Sequence, residues 1–294
     1  MNQAFPEQLK FSLVTPINNV VDSLNNQYGD MFHAISSVLL KMVLVPFEGW
    51  LRGLPWWLVL AGVFCISWNA IRSWRKALGF TACVLLVGSF GLWDQLLQTL
   101  ALVTIATLLS VIIAVPLGIW SSRSNTLRNV LSPVMDVMQT MPSFVYLVPV
   151  LMLFGLGKVP AIIATVVYAA PPLIRLTDLG IRQVNEEIRE AASSFGTTRW
   201  QLLTGVQLPL ARPSIMAGLN QTIMMSLGMV VIASMIGARG LGEDVLEGIQ
   251  TLNIGKGLQA GIAIVILAIV IDRITQGYGR DSRQRQLQSA NKEK

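Results

Sequence analysis

Apolar runs of membrane-spanning length recur along most of this chain, and most of its charge falls outside them. The hydrocarbon core of a bilayer takes about 20 apolar residues as a helix. It offers no water to unpaired backbone groups, so only helices or closed barrels cross it. Continuous runs of this length, without strict alternation, specify helices. Seven candidate spans follow: residues 55–72, 77–93, 96–120, 130–155, 159–181, 213–236 and 257–275. Only 13% of the 294 residues are charged, against about 25% in a soluble domain. The fold class expected is an all-α integral membrane protein of about seven transmembrane helices, set in a lipid bilayer. No charged-then-apolar leader with a small-residue cleavage site precedes the spans, so the first span is expected to direct insertion.

The same inventory narrows the chemistry. The net charge of +6 is spread over loops and a tail rather than gathered into a nucleic-acid footprint. Cys65 and Cys83 fall inside apolar runs and read as buried free thiols; a single pair gives no metal-site spacing. His33 is the only histidine, which leaves triad or histidine–metal chemistry almost nothing to work with. Gly255-Lys256-Gly257 is not a phosphate loop, because Gln250 stands where the first glycine belongs and no Ser or Thr follows the lysine. The chain is therefore expected not to be an enzyme, and to hold no cofactor or metal of its own.

Residues 1–53 are too polar and broken for a span, and 1–54 are expected to form an extracytoplasmic N-terminal segment. Within them, Phe32 to Phe47 has an apolar face and reads as a helix lying on the membrane or packed against the bundle. Residues 55–93 supply two spans, 94–276 a five-span core, and 277–294 a basic tail. Trp56, Trp57, Trp74, Trp93 and Trp120 mark span ends, as interfacial aromatics do. One set of alternate loops holds only Lys10, Lys41, Arg52, Lys158, Arg239 and Lys256. The other sixteen of the 22 basic residues lie on the opposite side, which the positive-inside rule makes cytoplasmic. The N-terminus is then outside, the C-terminus and the 185–212 loop inside.

That loop carries the most specific signal. Asn185 is an N-cap with Glu186 and Glu187 in the first turn. A short helix runs to Phe195, Gly196 stops it, and Thr198 with Gln201 forms a capping box that starts a second helix. Pro209 is expected to end that one. Glu190-Ala191-Ala192, three residues, Gly196, nine residues, Val206, one residue and Leu208-Pro209 resemble the EAA loop of ABC-importer permeases. The one departure is Val206, where the family pattern has isoleucine. The resemblance implies a MetI-like, type I permease core at 94–276 whose loop docks on an ATPase. It also implies two ATP-binding cassette subunits that bind ATP and Mg, a second permease copy, and a soluble extracytoplasmic substrate-binding protein. With only a short tail after the last span, that binding protein is expected to be a separate subunit.

The fourth span carries Pro133, Pro142 and Pro149, expected to interrupt one helix three times, with Asp136, Thr140, Ser143 and Tyr146 among them. Polar groups at membrane depth face a bundle interior or a wet cavity. With Tyr168, they are the candidate translocation path. Asp136 also reads as a structural carboxylate with a partner. Pro116 is expected to kink or end the third span, and Pro171-Pro172 to disrupt the fifth. Arg175 and Asp178 can pair on one helix face. Met216, Met224, Met225, Met229 and Met235 read mainly as packing, with a flexible pathway wall as the other reading. The run 135–146, ending in Leu153-Phe154-Gly155-Leu156-Gly157, resembles the glycine betaine/proline/choline branch of the family. This implies an importer of a compatible solute. Two rivals stay open: a permease of the same family for another small solute, and an ion-coupled secondary transporter.

Overall fold

The computed structural model describes Ser12 and residues 14–279, and every regular element among them is helical. The basic tail from residue 280 onward lies outside the described residues, as do residues 1–11 and 13. Helix α1 (Val14–Val38) passes through a widened π-turn (Leu39–Leu44) into α2 (Val45–Gly53) without a break. The whole Val14–Gly53 run is long and apolar enough to cross a membrane. The reading of residues 1–53 as too polar and broken for a span did not anticipate a run of this length and composition. The polar residues crowd the first half of the run, and Pro46 does not interrupt the second. The Val45 N–H reaches back five residues to the Leu40 carbonyl. A ladder so widened tolerates the N–H that proline lacks. The run is also packed, with Phe32 5.1 Å from Phe154 between ring centres and Leu44 fully buried.

The next two expected spans are α3 (Trp56–Ile71) and α4 (Trp74–Ser89), of 16 residues each. At 1.5 Å per residue each is about 24 Å long, shorter than a hydrocarbon core of about 30 Å. Cys65 and Cys83 lie on their exposed faces as free thiols. The reading of both as buried thus fails; an apolar run in a bilayer protein turns side chains to lipid as readily as to protein.

Helix α5 (Trp93–Arg123) continues through Pro116, so that proline does not end it. Helix α6 (Asn125–Thr140) likewise contains Pro133. A bend of 112° then leads through a 3₁₀ turn (Ser143–Tyr146) into α7 (Leu147–Phe154). Of the three prolines expected to break this span, only Pro142 does so. Met141 before it is extended (φ −70°, ψ 136°), the conformation a following proline imposes. Pro149 falls in the first turn of α7, where its missing N–H has no intrahelical partner to lose. The chain continues through α8 (Lys158–Arg182), α9 (Glu186–Ser194), α10 (Arg199–Leu202), a π-turn (Leu203–Gln207) and α11 (Leu208–Ala233). A 3₁₀ turn (Ser234–Ile236), α12 (Leu241–Gln250) and α13 (Ile254–Gly279) complete it.

Five runs have span length and composition: Val14–Gly53, Trp93–Arg123, Lys158–Arg182, Arg199–Ala233 and Ile254–Gly279. The bent α6–α7 pair makes a sixth if it counts as one broken span. The expected tally of seven is therefore not reproduced element for element.

Helix α8 is the centre of the bundle, buried along most of its length between α5 and α11. Pro171 and Pro172 sit inside it without disrupting it, contrary to expectation. At their level the Thr222 hydroxyl of α11 donates to the Ala169 carbonyl at 2.8 Å, a cross-helix bond that ties α11 to α8 beside the prolines. The α5–α8 contact depends on Gly118. A Cβ there would stand 2.6 Å from the Thr177 Cβ and 2.8 Å from the Ile174 carbonyl. Small residues let helix backbones approach this closely in membranes, where dispersion contacts drive association.

At the opposite end of the bundle, charged residues tie α2 to α5 and α8. The Lys158 ammonium donates to Glu48 at 2.6 Å, and Arg52 donates to Asp94 at 2.7 Å. The start of α12 is fixed by its Leu241 N–H, which donates to the Thr99 hydroxyl at 2.8 Å.

Candidate functional site

The loop between α8 and α11 forms as its local chemistry requires. The Asn185 carboxamide accepts from the Glu187 N–H at 2.9 Å and starts α9. Gly196 follows with φ +77°, a left-handed turn that L side chains rarely adopt. Thr198 and Gln201 then exchange side-chain and backbone bonds at 2.8 and 3.3 Å, a complete capping box. Glu190 and Ala191 are exposed on α9, and Ala192 is half-buried.

Pro209 does not terminate the second helix. The segment from Arg199 to Ala233 is one 35-residue helical run. The Leu208 N–H bonds five residues back to the Leu203 carbonyl, so the ladder has already widened when it meets the proline. Val206 lies in this π-turn and Leu208-Pro209 open α11. Leu203 is buried with Ile181 of α8 and Ala211 of α11. The distal half of the loop is thus rigidly continuous with a core helix, while the proximal half hangs from the Gly196 turn. Around that turn Phe195 is 90% exposed and Trp200 67% exposed. Large aromatics bared on a polar loop mark an interaction surface. The sequence reading did not single them out; their signal was aromatic side chains flanking the glycine of an otherwise polar stretch.

The second region is the elbow of α6 and α7. In an unbroken helix the Met138 carbonyl would bond the N–H of residue 142, which is proline. The Tyr146 hydroxyl donates to that carbonyl instead. Tyr146 is buried and stacks obliquely on Tyr168, with ring centres 5.7 Å apart. Tyr168 and Ser143 face a cavity of about 350 Å³, whose other wall is Gln221, Met224, Met225 and Met229 of α11. So Ser143 and Tyr168 come together on one cavity, and Tyr146 backs it. Asp136 and Thr140 do not line it; Thr140 donates to the Val137 carbonyl at 3.0 Å. Three of the five methionines read mainly as packing, Met224, Met225 and Met229, form a wall here, and Gln221 joins them. Replacing Tyr146 by Phe orphans the Met138 carbonyl, at an expected cost of about 1–3 kcal/mol. A thermal melt of the purified variant, lowered while Tyr168→Phe stays near wild type, checks this.

Charged partners differ from the sequence pairing. Arg175 bonds Asp136 of α6 at 2.6 Å, not Asp178. Asp178 is buried and takes Arg182 at 2.9 Å and Arg128 at 3.4 Å. On a helix, residues four apart approach as well as residues three apart, and α6 brings nearer partners from outside. Both members of the Asp136–Arg175 pair are substantially exposed, so the pair contributes at most about 1 kcal/mol. Asp136→Asn is accordingly expected to assemble normally and to lower activity only modestly. Complete loss of transport in an assembled variant would show a direct role for this carboxylate. One polar cluster within the spans was missed altogether: Asp272 of α13 accepts from Asn220 at 3.0 Å and Gln276 at 2.8 Å. Its signal was an acid inside the last apolar run.

Comparison with known proteins places these features in a family. Residues 106–284 match the binding-protein-dependent transport system inner membrane component. The glycine betaine/carnitine transport permease protein GbuB of Listeria monocytogenes serotype 1/2a (strain 10403S) is 44% identical over 275 residues, which cover 92% of this chain and 96% of that one. The glycine betaine/proline betaine transport system permease protein ProW of Escherichia coli (strain K12) is 45% identical over 265 residues, 90% of this chain and 74% of that one. Among solved structures, the MetNI methionine ABC transporter in an inward-facing conformation superposes with a TM-score of 0.56 at 23% identity, covering 62% of this chain and 94% of that one. That likeness shows the permease fold. With the glycine-jointed loop, the matched core and these relatives in agreement, the chain belongs to the family of binding-protein-dependent transport system inner membrane components, as a multi-pass permease of the ABC transporters.

Proposed function

We propose that this chain is the translocating subunit of an ATP-driven importer for a compatible solute of the glycine betaine, proline betaine, choline or proline class. The observation that carries the solute class is identity of 44% and 45%, over nine-tenths of the chain, to permeases named for glycine betaine with carnitine or proline betaine. The cavity chemistry supports it. A quaternary ammonium is a large, weakly hydrated cation that aromatic faces attract. The Tyr168 ring, backed by Tyr146 and faced by polarizable methionine sulfur, suits such a guest better than a small hard ion.

In this reading two copies of the chain pair in the membrane, and each loop takes an ATP-binding cassette subunit that holds ATP and Mg. A separate soluble binding protein delivers the solute outside. The loop and the C-terminal tail face the cytoplasm. The N-terminus lies outside, so Val14–Gly53, though long enough to span, packs against the outer half of the bundle without crossing. The ATPase subunits close on ATP, the exposed α9 and Gly196 turn take up the movement, and the continuous α10–α11 helix carries it to the methionine wall. The α6–α7 elbow opposite then opens the cavity to one side or the other.

The test is reconstitution with the cognate ATPase and binding protein in proteoliposomes. Glycine betaine is expected to stimulate ATP hydrolysis and to be taken up only with ATP inside. Stimulation by methionine or an alkyl sulfonate instead would reassign the solute, and uptake without the ATPase would overturn the coupling.

A further inference from the structure

A second cavity, of about 480 Å³, opens where the loop meets the ends of α5 and α8. Arg123 reaches it from α5, Arg182 from α8, Arg189 from α9 and Arg199 from α10, with Ser122 and Gln207 between them. Only Arg182 is neutralised within the fold. It donates to Asp178 at 2.9 Å, to the Asn125 side chain at 2.8 Å and to the Ser121 carbonyl at 2.8 Å. Asp178 is shared with Arg128, so it has no charge to spare. Among the described residues no carboxylate stands within ion-pair distance of Arg123, Arg189 or Arg199. Arg123 gives one N–H to the Arg199 carbonyl at 3.2 Å. The Arg189 Nε is buried and has no hydrogen-bond partner.

Three uncompensated guanidiniums around one recess repel one another, and a buried N–H without an acceptor is costly. An anion relieves both. We propose that this recess binds a phosphate group. A carboxylate offers two oxygens in one plane and a single charge. A phosphate presents its oxygens in several directions, which suits guanidinium forks arriving from three helices. The volume exceeds what one acidic side chain fills and falls in the range of small-molecule sites. The recess also lies at the depth of lipid phosphates: it is built from the last residues of two spans, and Trp120, one turn before Arg123, is exposed as interfacial aromatics are. The group can therefore come from an anionic lipid headgroup or from a soluble phosphate compound. Bound there, it ties α9 and α10 to the ends of α5 and α8. The effect of that tie on coupling rests on the proposed function; the binding itself does not.

The test uses the full chain without its ATPase, in neutral phosphatidylcholine nanodiscs. One arm adds pyrophosphate and follows binding by calorimetry. The other includes a minor fraction of phosphatidylglycerol and follows lipid retained per chain by native mass spectrometry. Wild type is expected to hold one phosphate group per chain in at least one arm, and the arm that responds names the source. Arg123→Gln and Arg189→Gln are each expected to weaken binding about tenfold, the worth of one charge-assisted contact. Arg189→Lys, which keeps the charge without the fork, falls between, so the effect is readable even if a glutamine variant unfolds. Lys41→Gln, remote from the recess, leaves binding unchanged. Equal binding by wild type and the arginine variants in both arms, or no binding in either, overturns the proposal. So does the converse pattern in a parallel pull-down with the purified ATPase subunit, where the arginine variants lose that subunit but keep both phosphate probes; it would assign the arginines to a partner's carboxylates.

Discussion

Gly196→Val is expected to lower ATP-driven uptake about tenfold or more while leaving the protein inserted and assembled. The φ of +77° at this position costs an L residue roughly 1–2 kcal/mol, more for a β-branched one. Nothing lies within 4 Å of where a Cβ would project, so the cost is conformational rather than steric. The strain is relieved by unwinding the turn, which detaches α9 from the rigid α10–α11 run. A penalty of 1.4 kcal/mol alone shifts such an equilibrium about tenfold. Substrate-stimulated ATP hydrolysis and uptake should therefore fall together, with normal amounts of assembled complex. Gly196→Asn should fall less, because asparagine tolerates left-handed backbone. Equal activity in glycine, asparagine and valine forms would remove the turn from the mechanism.

Gly118→Val should act on the bundle itself. Its side chain would enter space already held by Thr177 and by the backbone carbonyl of Ile174. A carbonyl inside a buried helix cannot swing aside, so α5 and α8 must separate along their contact. Overpacking of this kind costs about 3 kcal/mol or more, a large share of the stability of a typical domain. The expected result is little folded protein in detergent and a sharply lowered melting temperature. Gly118→Ala should be intermediate. A valine variant as stable as wild type would mean that the two helices do not meet at Gly118.

These two glycines divide cleanly between local and tertiary causes. Gly196 was legible because its neighbours speak locally: Asn185, Thr198 and Gln201 are caps that work within a few residues, and the capped turn formed as read. Gly118 sits in an unbroken apolar run and carries no local signal. Its importance arises only when α8 is laid against it. The prolines follow the same division. Pro142 breaks its helix because nothing upstream widens the ladder and Met141 is forced extended. Pro46 and Pro209 are absorbed by π-turns, Pro171 and Pro172 by packing against α11, and spacing along the chain does not distinguish them.

What the amino-acid order alone determined is the membrane setting, the helical class, the polar joint with its caps, and through its spacing the permease family. Hydrophobic burial in lipid and capping are short-range or compositional, so they can be read residue by residue. Only the tertiary structure decided which proline bends a span, that Arg175 takes Asp136 and leaves Asp178 to Arg182, and that Ser143, Tyr168 and the α11 methionines share one cavity. Only it gathered Arg123, Arg189 and Arg199 around another. Each of these depends on which helix lies beside which, and that choice is made by dispersion contacts and close backbone approach spread over whole helix faces.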